Sequence, residues 1–226
     1  MNSPEDTSQH DSQPGALRAL WRSVSHFFGG SPEERFSSAL IALAAKMAKA
    51  DGVATQGEFE AFRQVFAFDE AKLSRVRMLF DLAKKDTSGF ETYARRIASD
   101  FAGQEALLED VLDGLFHIAK ADGAVHEGER AQLEIIAEIF GFIDQAFEAI
   151  LARHVVDGAC DAYRVLGVTR DMADAELKSH YRKLVSENHP DRMMSRGLPP
   201  EMIRIANDRL AAINHAWEQV RLERGL

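Results

Sequence analysis

Apolar positions recur at spacings of three and four along most of this chain, and the strict alternation expected of strands is almost absent. Between residues 31 and 156 the pattern predicts helices near Glu70–Lys84, Phe90–Ala102, Glu105–Ala121 and Ile143–Val155. Four phenylalanines of this segment are expected in its core: Phe59, Phe62, Phe66 and Phe80. We therefore predict that residues 31–156 fold as a compact helical bundle in an all-α protein.

The predicted bundle contains an internal repeat. Residues 47–52, Met-Ala-Lys-Ala-Asp-Gly, are matched 71 positions later by residues 118–123, Ile-Ala-Lys-Ala-Asp-Gly. Each copy is typical of a helix, a tight turn and a second helix, because Asp and Gly tolerate the backbone of such turns. A glutamate follows in each copy, Glu58 and Glu129, at a position suited to capping the second helix.

The acidic residues of this repeat allow two interpretations. If the two turns lie together, four carboxylates would offer oxygen ligands to a hard cation: Asp51, Glu58, Asp122 and Glu129. Their spacing differs from that of an EF-hand loop, so we favour aspartates that stabilise turns and glutamates that cap helices. His117 and His154 are flanked by apolar residues and are expected to be core or boundary residues with hydrogen bonds rather than metal ligands.

The C-terminal residues carry a second helical pattern. A short helical turn is stopped by Gly167, and a helix begins at Asp174. That helix ends at Asn188, because Pro190 disfavours the helical backbone conformation for the residue before it. After a loop, Pro199-Pro200 opens another amphipathic helix. We predict two antiparallel helices, with His189-Pro190-Asp191 projecting from the bend between them.

The first of these helices is cationic on one side. Lys178 and Arg182 are four residues apart and share a face, and Lys183 lies near them. Tyr181 and Leu184 belong to the apolar stripe and are expected in the core. No nucleophile is evident near His189 and Asp191, so a hydrolytic acid–base pair is disfavoured.

Residues 160–226 resemble the J-domain of DnaJ-type co-chaperones. Four pieces carry the resemblance in the family's order: Tyr163–Val168, Tyr181–Leu184, His189–Asp191 and Ala212–Trp217. The run from Leu184 to Met202 is similar to the DjlA branch of that family. The resemblance implies a protein that binds a DnaK-type chaperone and stimulates its ATP hydrolysis. By position, the implied contact residues are His189, Pro190, Asp191, Arg182, Lys183 and Lys178. The chain itself is then not an enzyme and needs no cofactor.

Residues 31–156 resemble the TerB domain through the doubled Lys-Ala-Asp-Gly pattern and the glutamate that follows it. A TerB-like domain followed by a J-domain is the layout of the DjlA family. The TerB-like domain is then expected to target the co-chaperone by binding another protein, a membrane surface or a second copy. The alternative is a stress- or metal-responsive binding protein in which this acidic domain is the main functional part.

Charge separates the two segments. The chain has a formal net charge of −9, yet residues 160–226 contain 11 basic and 10 acidic residues. The remaining residues are strongly acidic, which argues against nucleic-acid binding. The one cysteine, Cys160, is consistent with a reducing compartment, so we expect a cytoplasmic protein.

Residues 1–30 are expected to lie outside the folded domains. Residues 1–15 are polar and acidic, which predicts a disordered tail and no secretory signal. Residues 16–28 place large apolar groups opposite Arg18 and Arg22 in a short amphipathic segment. Such a segment suits peripheral contact with the inner face of the cell membrane or packing on protein. No stretch of the sequence is apolar over the length of a membrane span, so the membrane-spanning segment of the DjlA family is not expected.

Overall fold

The computed structural model describes residues 31–50, 59, 62–63, 70–85, 89–120, 125–154 and 161–226. The predicted tail and amphipathic segment therefore lie outside the described residues. The same holds for Phe66, Cys160 and three of the four candidate metal ligands, Asp51, Glu58 and Asp122.

Within the described residues the backbone forms ten α-helices and no strand, which confirms the all-α prediction. The helices are α1 Pro32–Ala50, α2 Glu70–Lys85, α3 Phe90–Asp100, α4 Glu105–Ala119, α5 Glu127–Phe140, α6 Gln145–His154, α7 Ala162–Val165, α8 Asp174–Glu187, α9 Pro190–Ser195 and α10 Ile203–Arg224. A 3-10 turn, Pro200–Met202, precedes α10. We call α1–α6 the bundle and α7–α10 the C-terminal unit.

The four helices predicted with bounds in the bundle are confirmed, whereas the second helix of the first repeat copy lies mostly outside the described residues. Helix α2 begins at the predicted residue, and α3 and α4 begin where the pattern placed them and end two residues earlier. Helix α5 begins with a capping box, in which the backbone N–H of His126 donates to Glu129 Oε2 at 3.0 Å. Glu129 thus caps this helix, as its position in the repeat indicated.

Helix α4 lies at the centre of the bundle and is buried on most of its circumference. It packs against α1, α5 and α6, and it also meets α10 of the C-terminal unit. Gly114 lets α4 approach the 3-10 turn before α10 closely, because a Cβ there would lie 3.1 Å from the Met202 methyl group and 3.1 Å from a Leu40 methyl group. Two charged residues of α4, Asp110 and Asp113, are also fully buried.

The C-terminal unit is the predicted antiparallel hairpin. Helix α8 packs on α10, and the rings of Tyr181 and Trp217 stack with centroids 4.5 Å apart. Gly167 has a φ of 68°, so it ends α7 in the left-handed conformation that a side chain disfavours. Arg224 joins the end of α10 to the loop before α8 and to the first residue of α8, by donating to Met172 O and Asp174 Oδ1.

The segment after His189 differs from the predicted loop, because it forms the short helix α9. Pro190 occupies the first turn, where its missing N–H costs no hydrogen bond. His189 is the N-cap, and its Nδ1 accepts from the backbone N–H of Asp191 at 3.3 Å. The helix stops at Gly197, whose φ is 104°. The prediction of an irregular bend was therefore wrong for residues 190–195.

The bundle and the C-terminal unit share one core. Met193, Leu198, Met202 and Ile205 are each at most 2% exposed and belong to the same apolar cluster as the bundle interior. The two segments are thus joined by packing as well as by the chain.

Candidate partner-binding site

The turn between α8 and α9 carries the predicted tripeptide at the surface. The side chain of His189 is 52% exposed and that of Asp191 is 90% exposed. Their nearest polar atoms, His189 Nδ1 and Asp191 Oδ2, are 3.7 Å apart. Asp191 thus keeps most of its carboxylate accessible to a partner, while its backbone N–H fixes the imidazole.

The cationic face of α8 lies beside this turn. Arg182 and Lys183 are exposed, and Lys178 is half-buried. Lys183 Nζ is 4.0 Å from Glu187 Oε1, so part of its charge is offset within the helix. On the opposite side, Tyr181 and Leu184 pack against the core of the C-terminal unit, as the apolar stripe predicted.

Arg192 extends the cationic surface, and sequence reasoning did not select it. It lies on α9, is exposed, and donates from Nη1 to Ser186 Oγ at 3.3 Å. The bond joins α9 to α8 across the turn. The position of Arg192, one residue after Asp191, could have indicated a contact residue. A predicted loop, however, does not specify on which side its side chains lie.

A buried ion-pair network lies directly behind the turn. Arg209 of α10 is 3% exposed and donates from Nε to Asp113 Oδ2 at 3.0 Å. Its Nη1 donates to Asp110 Oδ1 at 2.9 Å and to Asn188 Oδ1 at 3.1 Å. Asn188 precedes the tripeptide and donates from Nδ2 to Leu184 O at 2.9 Å. The network joins the bundle to the end of α8.

The electrostatics of the network follow from burial and pairing. Burial alone would raise the pKa of the Asp113 carboxyl, but Arg209 and His154 hold that pKa below its usual range. Burial raises the pKa of Asp110 to about 6, against the opposing influence of Arg209 and Arg196. The carboxylates keep the pKa of Arg209 above its ordinary value although burial lowers it, so Arg209 stays charged.

His154 and His117 extend the network inside the bundle. His154 Nε2 donates to Asp113 Oδ1 at 2.7 Å, because a carboxylate only accepts, and its ring stacks on Phe116. This confirms that His154 is a hydrogen-bonded core residue. Burial lowers the pKa of His117 to about 3 and lowers the pKa of His154. Both imidazoles are therefore neutral near pH 7.

Asp113, His117 and His154 could also be considered as metal ligands, since one ligand atom from each lies within 4.8 Å of the others. The other oxygen of Asp113 is already bound to Arg209. Around it, three carboxylates face three guanidinium groups: Glu109, Asp110 and Asp113 with Arg153, Arg196 and Arg209. Adding a divalent cation would unbalance this buried charge, so hydrogen bonding accounts better for the cluster.

Of the four acids considered for a cation site, the structure describes only Glu129. Its carboxylate accepts from the backbone N–H of His126, which is the capping role favoured from the sequence. Asp51, Glu58 and Asp122 lie outside the described residues, so a shared cation site stays a hypothesis. Among the described helices, none has the length and apolar content needed to span a bilayer.

Comparison with known proteins divides the chain into two family matches. The model of the family described as tellurite resistance protein TerB matches residues 37–152, and the DnaJ domain model matches residues 161–222. The Co-chaperone protein DjlA of Photobacterium profundum is 31% identical over 236 residues, covering 88% of this chain and 84% of that protein. No solved structure gives a significant match.

Two further relatives carry the same name. The Co-chaperone protein DjlA of Coxiella burnetii is 31% identical, with 86% of this chain and 79% of that protein covered. That of Vibrio cholerae serotype O1 is 29% identical, with 88% and 83% covered. With a TerB domain followed by a DnaJ domain over its matched length, this chain belongs to the DjlA family of co-chaperones.

Proposed function

We propose that the DnaJ domain of this protein binds a DnaK-type ATPase chaperone through the α8–α9 turn and stimulates its ATP hydrolysis. The contact residues of this proposal are His189, Pro190, Asp191, Lys178, Arg182 and Lys183. The chemistry of hydrolysis belongs to the chaperone, so this protein acts as a regulator and not as an enzyme. Binding through the turn would change the chaperone's conformation and not supply a reacting group.

The exposed turn is the observation that carries the proposal. An imidazole and a carboxylate project from a turn whose backbone is fixed at both ends, by Asn188 on one side and by the Gly197 helix stop on the other. Groups held in advance on rigid elements lose little entropy when they bind. Asp191, at 90% exposure, presents its carboxylate where a partner can donate hydrogen bonds to it.

Charge supports the same partner surface. Arg182 and Lys183 are exposed beside the turn, in a protein whose net charge is −9. A local cationic face on an acidic protein orients encounters with an acidic partner surface and raises the association rate. Because the face is exposed, the effect should weaken as salt screens it.

We further propose that the TerB-like bundle is a targeting or interaction module for this activity. It would hold the co-chaperone near another protein, a membrane surface or a second copy. The residues outside 160–226 are strongly acidic, which supports a second binding surface that is distinct from the cationic turn. The address that it recognises would determine where the chaperone is activated.

The test is single-turnover ATP hydrolysis by the DnaK-type chaperone of the same organism, titrated with the full chain. We expect the wild type to stimulate hydrolysis and His189→Gln to reduce it on the order of tenfold or more, as for a central interface residue. His215→Gln is the matched control, because His215 is an exposed histidine of α10 whose ring bonds Gln219 on the same helix. Equal stimulation by His189→Gln and wild type would overturn the proposed site, and no stimulation by the folded wild type would overturn the function.

A further inference from the structure

The bundle reaches the tripeptide through buried side chains. Asp110 and Asp113 belong to α4 of the bundle, and each is at most 1% exposed. Both bind Arg209 of the C-terminal unit, whose Nη1 also donates to Asn188. Asn188 immediately precedes His189. One guanidinium group therefore contacts the bundle and the residue from which the docking turn begins.

Asn188 also holds the end of α8. Its backbone N–H and its Nδ2 both donate to Leu184 O, each at 2.9 Å. The side-chain oxygen faces Arg209, so the amide cannot rotate without losing a bond at one end or the other. The direction in which the chain leaves α8 toward His189 is thus set jointly by α8 and by Arg209.

The C-terminal end of α9 is tied to Asp110, one of the two aspartates that bind Arg209. Arg196, the C-cap of α9, has Nη2 3.7 Å from Asp110 Oδ2. Between the two ties, Met193 is 1% exposed and belongs to the core of the bundle. The helix that carries Pro190 and Asp191 is therefore held by Asp110 of the bundle at its C-terminal end and by the shared core beneath it. At its start the bundle acts indirectly, through Arg209 and Asn188.

We infer that Asp110 and Asp113 are positioning residues of the chaperone-docking site, acting through Arg209 and Asn188. The inference rests on the proposed function and makes the TerB-like bundle a structural part of the docking site as well as a targeting module. Asp110, Asp113 and Arg209 are too deeply buried to touch a partner. Any effect of these residues on docking must therefore be transmitted through the turn.

The test compares Asp110→Asn with Glu109→Gln in the full chain. Asp110→Asn preserves shape but removes the charge that holds Arg209 and Arg196. Glu109→Gln is the matched control for loss of a charge in the same cluster, because Glu109 lies on the same helix but bonds Arg153 of α6, at 2.6 Å, so the substitution breaks none of the bonds that lead to the turn. Each variant is first checked for native helicity and for its melting temperature.

Two readouts separate positioning from general stability, both taken well below the melting temperature. The first is amide hydrogen exchange of the peptide covering residues 186–196. The second is the concentration of co-chaperone that gives half-maximal stimulation of the chaperone. We expect Asp110→Asn to raise exchange in this peptide and to raise that concentration by roughly two- to thirtyfold, the usual range of coupling through packed networks. Glu109→Gln should change neither.

Unchanged exchange and unchanged half-maximal concentration in folded Asp110→Asn would overturn the inference. If wild type does not stimulate the chaperone, the proposed function fails, whereas the exchange experiment still decides whether the bundle positions the turn. If Asp110→Asn does not fold, Arg196→Gln replaces it, because Arg196 is 25% exposed and the substitution removes its contact with Asp110 from the outer side. Increased exchange over residues 186–196 in that variant supports the inference, and unchanged exchange overturns it.

Discussion

Replacing Arg209 by methionine should destabilise this protein more than any exposed charge substitution. The side chain of Arg209 is 1% exposed and forms three hydrogen bonds of 2.9–3.1 Å. Methionine can occupy the volume of the aliphatic stem, so little of the cost comes from a cavity. The cost comes from Asp110 and Asp113, which would keep their burial and lose their cation.

Breaking a buried ion pair from one side typically costs about 3–5 kcal/mol, because an uncompensated charge remains. Folded proteins are stable by only about 5–15 kcal/mol, so this is a large fraction of the total. For a chain of this length, the melting temperature should fall by about 6–20 °C. Urea unfolding followed by circular dichroism at 222 nm measures the free energy of unfolding directly.

Arg221→Met is the control for this experiment. Arg221 lies on the same helix but is 44% exposed and pairs with Glu218 three residues away. Exposed pairs of this kind contribute about 0–1 kcal/mol. If Arg209→Met costs no more than Arg221→Met, the two aspartates do not depend on Arg209 and the account of the buried network is wrong.

A double-mutant cycle then identifies the source of the cost. Adding Asp113→Asn to Arg209→Met removes one of the two uncompensated charges, so the second substitution should cost less than it does alone. We expect a coupling free energy of about 0.5–3 kcal/mol, as for residues in one network. Strict additivity of the two costs would contradict a direct interaction across the interface.

Two further predictions follow from the buried rings. Burial lowers the pKa of His117 to about 3 and also lowers the pKa of His154. Both histidines therefore bind fewer protons in the folded protein than in the unfolded chain. Their contribution to the free energy of unfolding is fully present above about pH 6.5 and is lost as pH falls, by about 2 kcal/mol for His117 at pH 5. Asp110, whose pKa is raised to about 6, binds more protons in the folded protein below that pH and so opposes this loss. The urea midpoint should therefore fall between pH 7.5 and pH 5, and the fall should be smaller in His117→Gln. An unchanged midpoint in the wild type would contradict the prediction. Trp217→Ala, which removes the ring stacked on Tyr181, should lower the free energy of unfolding by about 3–5 kcal/mol, and a loss below about 1 kcal/mol would refute the stacking as a core contact.

Local chemistry made the helices and their ends predictable. Asn188 ends α8 because of Pro190, and Gly167 ends α7 in a left-handed conformation, as the sequence indicated. These features depend on residues within one turn of each other, so composition and spacing reveal them. The short helix α9 was missed although the same rules applied, since Pro190 at a first helical turn was interpreted only as the end of the preceding helix.

The buried network was not predictable from local patterns. Arg209 and its two carboxylate partners are separated by 96 and 99 residues, and each looks like a solvent-facing charge on an amphipathic helix. Whether a charge is buried depends on which helices meet, which periodicity does not specify. The expectation of two domains, residues 31–156 and 160–226, therefore did not include the core that they share.

Mapping the chaperone contact on this protein shows directly whether the α8–α9 turn is the docking surface. Backbone amide NMR signals of the labelled full chain would be recorded with increasing ATP-bound chaperone that cannot hydrolyse ATP. We expect the largest changes at residues 178–183 and 189–192, with small changes on α2 and α5 of the bundle. Changes confined to the bundle, with residues 189–192 unaffected, would contradict this expectation.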